Sequence, residues 1–211
     1  MTDTLTRNRK IALTGALSAL VIVLGITKLG LIPIGAVASI SILQIPLIIA
    51  VMLAGLPSGL FVGAVFGIMS LVQAAMSPSG AIDPLFVNPL CSVLPRMLTA
   101  VAAWLIWKFF NIIPKMPKIL SAAITGFLAT VAHTLLVIGC LYIFKGADVR
   151  AAMGGMGYFA LIGALAFNAS LEATASTIVC AAVYTGIFVS KNKKSKLSKE
   201  TEAEETKNEE K

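Results

Sequence analysis

Three ionisable residues lie inside otherwise apolar stretches of this sequence, namely Arg96, His133 and Glu172. Asn168 precedes Glu172 by four residues, so their side chains share one face of a helix. Placing an arginine at the centre of a spanning helix costs roughly 2.5–3.5 kcal/mol, so such a residue is expected to face a protein interior or a water-filled cavity. The pattern predicts a polar cavity in which Arg96 binds a carboxylate through paired hydrogen bonds.

Each of these groups also has an ordinary structural role that the sequence leaves open. Arg96 and Glu172 can pair with each other and hold two helices together, in which case a ligand need not be anionic. His133 can be a satisfied core histidine. Asn168 can join neighbouring helices by a hydrogen bond.

Several other kinds of chemistry have little support in the sequence. One histidine and no acidic cluster argue against a metal site. We find no Ser/His/Asp arrangement suited to intramembrane proteolysis and no G-x-x-x-x-G-K-[ST] phosphate loop. The three cysteines occur singly in different apolar segments and are interpreted as small buried hydrophobes. We therefore expect no catalytic residues, no metal, no bound cofactor and no ATP hydrolysis by this chain.

The composition indicates a membrane protein. Of the 211 residues, 57% are hydrophobic and 13% are charged, and the mean hydropathy is +0.90. Because a spanning helix needs about 20 mostly apolar residues, the sequence predicts an all-α polytopic membrane protein with a six-transmembrane-helix bundle. The basic residues that give the net charge of +7 flank the apolar segments, so nucleic acid is not the expected partner.

The chain divides into a basic N-terminus (1–10), a membrane domain (11–189) and a charged tail (190–211) that is predicted to be disordered. Residues 145–157 are predicted to form a glycine-rich loop, and Pro95 is expected to kink its helix. The six spans are predicted at residues 11–27, 41–54, 60–76, 89–107, 119–144 and 158–189.

The distribution of basic residues predicts that both termini are cytosolic. With that orientation, thirteen Lys and Arg side chains flank the spans on the cytosolic side and three on the outer side. At about 1.5 Å per helical residue, Arg96, His133 and Asn168 are expected roughly 10–16 Å below the outer surface, with Glu172 deeper. The predicted cavity therefore opens to the outside.

Four motifs are distinctive: residues 40–50 (ISILQIPLIIA), 54–59 (AGLPSG), 63–67 (GAVFG) and 88–96 (NPLCSVLPR). They resemble the substrate-binding (S) components of energy-coupling-factor (ECF) transporters, and the resemblance extends over about residues 10–190. The segment from Asn88 to Arg96 is its most specific part. Many members carry a histidine where this chain has Gln44.

The resemblance implies a subunit of the cell membrane that captures a vitamin or related micronutrient from outside. Such subunits dock on a membrane coupling subunit driven by two ATPase subunits, so ATP is used by the partners. A family Ala-x-x-x-Ala docking motif corresponds here to Ala12 and Ala16. Together with the buried polar groups above, the motifs give the expected substrate-binding set of Gln44, Asn88, Arg96, His133, Asn168 and Glu172.

Pantothenate is the leading ligand candidate, because it is small and carries a carboxylate for Arg96. The order of the segments also resembles the pantothenate members, and the few aromatic residues in the spans disfavour a large flavin or pterin ring. Riboflavin, folate and other ligands remain open. The alternatives from other classes are a stand-alone secondary transporter that uses Glu172 as a proton relay and a structural membrane subunit that binds no small molecule.

Overall fold

A computed structural model describes residues 7–27, 30–34, 38–78 and 82–209. Within them the chain forms six α-helices, one 3-10 helix and one antiparallel two-stranded ribbon, in which Leu31 faces Ser41 and Ile34 faces Ala38. The elements are α1 (Arg7–Ile26), β1 (Leu31–Ile34), β2 (Ala38–Ser41), α2 (Gln44–Ala54), α3 (Leu56–Met76), the 3-10 helix (Asp83–Val87), α4 (Pro89–Ile112), α5 (Lys118–Ala152) and α6 (Tyr158–Glu209). The fold is helical, as predicted, apart from the ribbon.

Five of the six helices are long and apolar enough to cross a membrane, namely α1, α3, α4, α5 and residues 158–187 of α6. Helix α2 has 11 residues, which at 1.5 Å per residue is about half of a ~30 Å hydrocarbon core. It is short because the residues up to Ser41 are extended and paired with β1, so the helix begins only at Gln44. Six full-length spans are therefore not confirmed in the described part of the chain.

Helix α2 lies in the interior of the bundle. Ten of its eleven residues are buried, and it contacts α1, α3, α4, α5 and α6. A helix that is apolar on every side is typical of one surrounded by other helices. Gly55 alone separates α2 from α3, and its φ of +95° lies in a region that glycine adopts without a steric penalty.

Two glycines bring α3 and α4 into close contact. A Cβ on Gly63 would lie 3.0 Å from the carbonyl oxygen of Arg96, and one on Gly67 would lie 2.5 Å from the Cα of Val93. Their spacing of four residues puts both on one face of α3, and small residues in such a row let two backbones approach each other. This contact fixes the turn of α4 that carries Arg96.

Helices α5 and α6 extend beyond the predicted spans. Helix α5 continues past one non-helical residue, Lys145, so the predicted loop is helical up to Ala152. Helix α6 continues to Glu209, through the tail that the composition predicts to be disordered. Lys, Glu and Ala have high helix propensity, and a helix that already exists needs no new nucleus to grow into them. The disorder of residues 190–211 stays a prediction.

The buried apolar side chains form two clusters. The first surrounds α2. The second includes Phe86, Ile138, Leu141 and Leu165, from the 3-10 helix, α5 and α6. It lies where the C-terminal ends of α3 and α5 meet the N-terminal ends of α4 and α6, and its side chains form part of a cavity wall.

Candidate substrate-binding site

A cavity of about 160 Å³ lies at this end of the bundle, lined by residues of β2, α3, the 3-10 helix, α4, α5 and α6. Its walls are partly apolar and partly polar. Arg96, His133, Asn168 and Glu172 all line it. The structure therefore brings together four of the predicted binding residues, which come from three different helices.

Arg96 is held in a fixed position at this cavity. Its side chain is 5% exposed. The guanidinium donates from Nη1 to the carbonyl oxygen of Cys91 (2.9 Å) and from Nη2 to Oγ of Ser70 (3.0 Å). Its Cζ lies 4.7 Å from the ring centroid of Phe86 and 5.4 Å from that of Phe66, both within cation–π range.

The backbone carbonyl of Cys91 is free to accept from Arg96 because residue 95 is a proline. In an α-helix the carbonyl of residue 91 normally accepts from the backbone N–H of residue 95, and proline has no N–H. The helix nevertheless continues through Pro95. The guanidinium of the next residue, Arg96, takes the carbonyl that the proline leaves unpaired.

The positive charge of Arg96 has no carboxylate partner among the described residues, where the ion pair found is Lys145–Asp148. The interpretation that Arg96 pairs with Glu172 is therefore wrong. A guanidinium has five N–H donors, and two are used here. The Nε donor is buried without an acceptor in the described part of the chain. A buried cation with unused donors in a cavity is suited to an anionic ligand.

Glu172 is instead bonded to the segment that enters α2. One carboxylate oxygen accepts from the backbone N–H of Ser41 at 2.6 Å, and the other accepts from Nε2 of Gln44 at 3.1 Å. Glu172 and Ser41 line the cavity, whereas Gln44 is fully buried and is not part of the lining. Gln44 thus supports Glu172 from outside the cavity.

His133 is bonded to α4 on one side of its ring. Its Nδ1 lies 3.1 Å from Oγ1 of Thr99, and the same hydroxyl donates to the carbonyl oxygen of Pro95 at 2.8 Å. The imidazole stacks on Phe66 with a centroid distance of 5.7 Å and an interplanar angle of 27°. Phe66 therefore contacts both the guanidinium of Arg96 and the ring of His133.

The remaining predicted residues lie away from these contacts. Asn88 caps the N-terminus of α4, where its side-chain oxygen accepts from the backbone N–H of Leu90 at 2.9 Å, and it is not among the cavity-lining residues. Ala12 and Ala16 lie on the exposed side of α1. The binding and docking roles assigned to all of these residues stay predictions.

Sequence reasoning missed Phe66, Ser70, Phe86 and Thr99, the side chains that hold Arg96 and His133 in place. A sequence pattern existed for two of them. Ser70 follows Gly67 by three residues and so shares the face of α3 that contacts α4, and Thr99 follows Arg96 by three residues on α4. Nothing in the local sequence marks the two phenylalanines.

Comparison with known proteins identifies the family. The chain matches the family model of the ECF transporter, substrate-specific component, over residues 9–187. The chain belongs to this family. It is also 31% identical over 172 residues to a protein named "Pantothenate transporter PanT" from Leuconostoc mesenteroides subsp. mesenteroides, an alignment that covers 74% of this chain and 79% of the relative.

Family membership identifies this substrate-specific component as part of a transporter and not as a member of an enzyme family. It implies a vitamin substrate and ECF module partners in general terms. The five long apolar helices agree with a multi-pass membrane protein. Within the described residues, no group of three or more His, Cys, Asp or Glu side chains is placed to hold a metal ion.

Proposed function

We propose that this substrate-specific component captures pantothenate outside the cell and delivers it to an ATP-driven ECF module in the cytoplasmic membrane. The chain has both termini in the cytosol, and the cavity opens to the outside. Helix α1 docks on the coupling subunit through Ala12 and Ala16, and ATP is hydrolysed by the two ATPase partners. The alternative within the family is the same capture role for riboflavin, folate or another vitamin.

The single observation that carries this proposal is the state of Arg96. Its guanidinium lines the cavity, is almost fully buried and has no carboxylate partner in the described part of the chain. Burying a charge is costly unless it is paired, and a ligand carboxylate supplies the missing partner. Phe66 and Phe86 offset part of that cost by cation–π contact.

Pantothenate fits the rest of the cavity by its chemistry. Its carboxylate matches Arg96, and its hydroxyl and amide groups match the polar side chains of His133, Asn168 and Glu172. Its geminal methyl groups match the apolar wall that includes Leu141 and Leu165. The relative that bears the name of a pantothenate transporter adds independent support.

Calorimetric titration of the detergent-purified protein tests the proposal. We expect saturable binding of pantothenate and much weaker binding of pantothenol, in which a CH₂OH group replaces the carboxylate. In Arg96→Gln we expect the affinity for pantothenate to fall by more than about 100-fold and the preference over pantothenol to disappear, because truncating one partner of a buried charge pair costs about 2–5 kcal/mol. Lys108→Gln, which removes a cation of α4 that is stacked on Trp104, is the matched control.

Each other outcome has a defined meaning. Unchanged pantothenate affinity in folded Arg96→Gln contradicts the proposal. If riboflavin or folate binds and pantothenate does not, the proposed capture role is retained and the proposed ligand is wrong. If folded protein binds none of the vitamins in a panel, the result favours a structural subunit that binds no small molecule.

Energy coupling is tested by uptake in cells that express this chain with an ECF module. We expect uptake to require the module, to stop on ATP depletion and to survive an uncoupler when ATP is maintained. Uptake without the module that collapses with the uncoupler would instead indicate a stand-alone proton-coupled transporter.

A further inference from the structure

The hydrogen bonds around Thr99 determine which nitrogen of His133 carries the proton. Oγ1 of Thr99 lies 2.8 Å from the carbonyl oxygen of Pro95. Two oxygens approach this closely when a hydrogen lies between them, and the carbonyl has none to give. The single hydroxyl hydrogen of Thr99 is therefore used on Pro95, and toward His133 this hydroxyl can only accept.

Nδ1 of His133 must then be the donor of the 3.1 Å hydrogen bond to Thr99. The ring is 6% exposed and shares Phe66 with the unpaired guanidinium of Arg96. A second positive charge at this place would be costly because no carboxylate contacts either group in the described part of the chain. The imidazole is therefore neutral, and its other nitrogen, Nε2, bears a lone pair.

Nε2 of His133 is available to the cavity. It has no hydrogen-bond partner among the described residues. The fully buried side-chain atoms without a partner there belong to Ser18, Ser41, Gln44 and Arg96 and do not include Nε2, and His133 lines the cavity. Nε2 is thus an acceptor that no described group of this chain satisfies.

We propose that Thr99 holds His133 in the tautomer with the proton on Nδ1, so that Nε2 accepts a hydrogen bond from a hydroxyl or amide N–H of the bound ligand. The hydrogen bond from the ligand to Nε2 is the ligand half of this proposal, and it rests on the proposed function. The position of the proton on Nδ1 is the tautomer half, and it does not. The cavity then recognises two chemical features of the ligand, a carboxylate that binds Arg96 and a hydrogen-bond donor that binds His133. Thr99 is a positioning residue, since it acts through His133.

The chain contains one histidine, so ¹⁵N-histidine labelling gives one imidazole in a nuclear magnetic resonance spectrum. In ligand-free protein we expect the proton on Nδ1 and a bare Nε2. Thr99→Ser keeps the hydroxyl and should keep this tautomer. Thr99→Val, of similar shape, should release the ring to a mixture that includes the Nε2–H form. A proton on Nε2, or on both nitrogens, in the unsubstituted protein overturns the proposal.

The ligand half is tested by adding pantothenate, with pantothenol as a probe that keeps the hydroxyls. We expect the Nε2 resonance to move in the direction of an accepted hydrogen bond while the proton stays on Nδ1. Thr99→Val should weaken pantothenate binding about tenfold, as for the loss of one hydrogen bond, and Thr99→Ser should stay close to unsubstituted protein. An unmoved Nε2 in protein saturated with pantothenate overturns the ligand half.

Failure of the proposed function gives a different pattern. If neither pantothenate nor pantothenol binds, the proposed function and the ligand half both fail, while the tautomer is still read from the ligand-free protein.

Discussion

The guanidinium of Arg96 donates to the carbonyl oxygen of Cys91, five residues earlier in the same helix, at 2.9 Å. The bond is available because Pro95 has no N–H for that carbonyl. The Pro95–Arg96 pair thus works as a unit within α4. The proline supplies a free acceptor, and the arginine uses it to keep its charge over Phe66 and Phe86 at the cavity.

Replacing Pro95 with alanine should weaken ligand binding and stabilise the fold. The new backbone N–H competes for the carbonyl of Cys91, so Arg96 loses one charge-assisted hydrogen bond, which is worth about 1.5 kcal/mol or roughly a tenfold rise in Kd. Removing a proline from a helix interior at the same time relieves a backbone cost of up to about 3 kcal/mol. Calorimetry and thermal unfolding of the same variant measure both effects.

Pro89→Ala is the matched control for that experiment. Pro89 is the first residue of α4, where a missing N–H leaves no helical bond unmade. We expect Kd and Tm to stay close to those of unsubstituted protein. If Pro95→Ala binds pantothenate as tightly as Pro89→Ala does, the positioning role of Pro95 is wrong.

Replacing Glu172 with glutamine should loosen the strand that enters α2. The carboxylate accepts from the N–H of Ser41 and from Gln44, whereas an amide turns a donor toward one of them. Losing a hydrogen bond to a charged group costs about 1.5–3 kcal/mol. We expect faster hydrogen exchange in a peptide that covers residues 38–45, measured by mass spectrometry. Asp148→Asn, in an exposed ion pair, is the control and should leave this peptide unchanged.

Alanine at Gly67 should destabilise the bundle. The added Cβ would lie 2.5 Å from the Cα of Val93, so α3 and α4 must separate, at a cost of about 1–3 kcal/mol and a lower Tm. Gly139→Ala, where nothing lies within 4 Å of the added Cβ, should be neutral or stabilise by up to about 1 kcal/mol. Equal Tm values for the two variants would contradict the close contact of α3 and α4.

Hydropathy was sufficient to predict the long helices and four of the polar residues that line the cavity. Arg96, His133, Asn168 and Glu172 are ionisable or amide side chains in apolar segments, and bilayer energetics require that such groups face inward. Depth along a helix follows from its rise per residue. These arguments use only local sequence, and the structure brings these four residues to one cavity. Their binding roles stay predictions.

The parts that the sequence did not reveal depend on contacts between distant segments. The partner of Glu172 is a backbone N–H 131 residues earlier, and no local pattern marks a backbone group as a partner. The shortness of α2 follows from the pairing of Ser41 with Leu31. Phe66 and Phe86 are ordinary apolar residues until α3 and the 3-10 helix bring them to Arg96.

Bulky residues on one face of α1 should separate docking from ligand capture. Ala12 and Ala16 are one turn apart and exposed, so tryptophan at both positions adds volume outside the packed bundle. If this face contacts the coupling subunit, Ala12→Trp with Ala16→Trp should abolish uptake in cells and leave the Kd for pantothenate unchanged in detergent. Co-purification with the ECF module should be lost in parallel with uptake.

The control is tryptophan at Leu105 and Phe109, which are also four residues apart and exposed, but on α4. Normal uptake by the α1 double variant, or equal loss in the α4 control, would remove the assignment of Ala12 and Ala16 as the docking face.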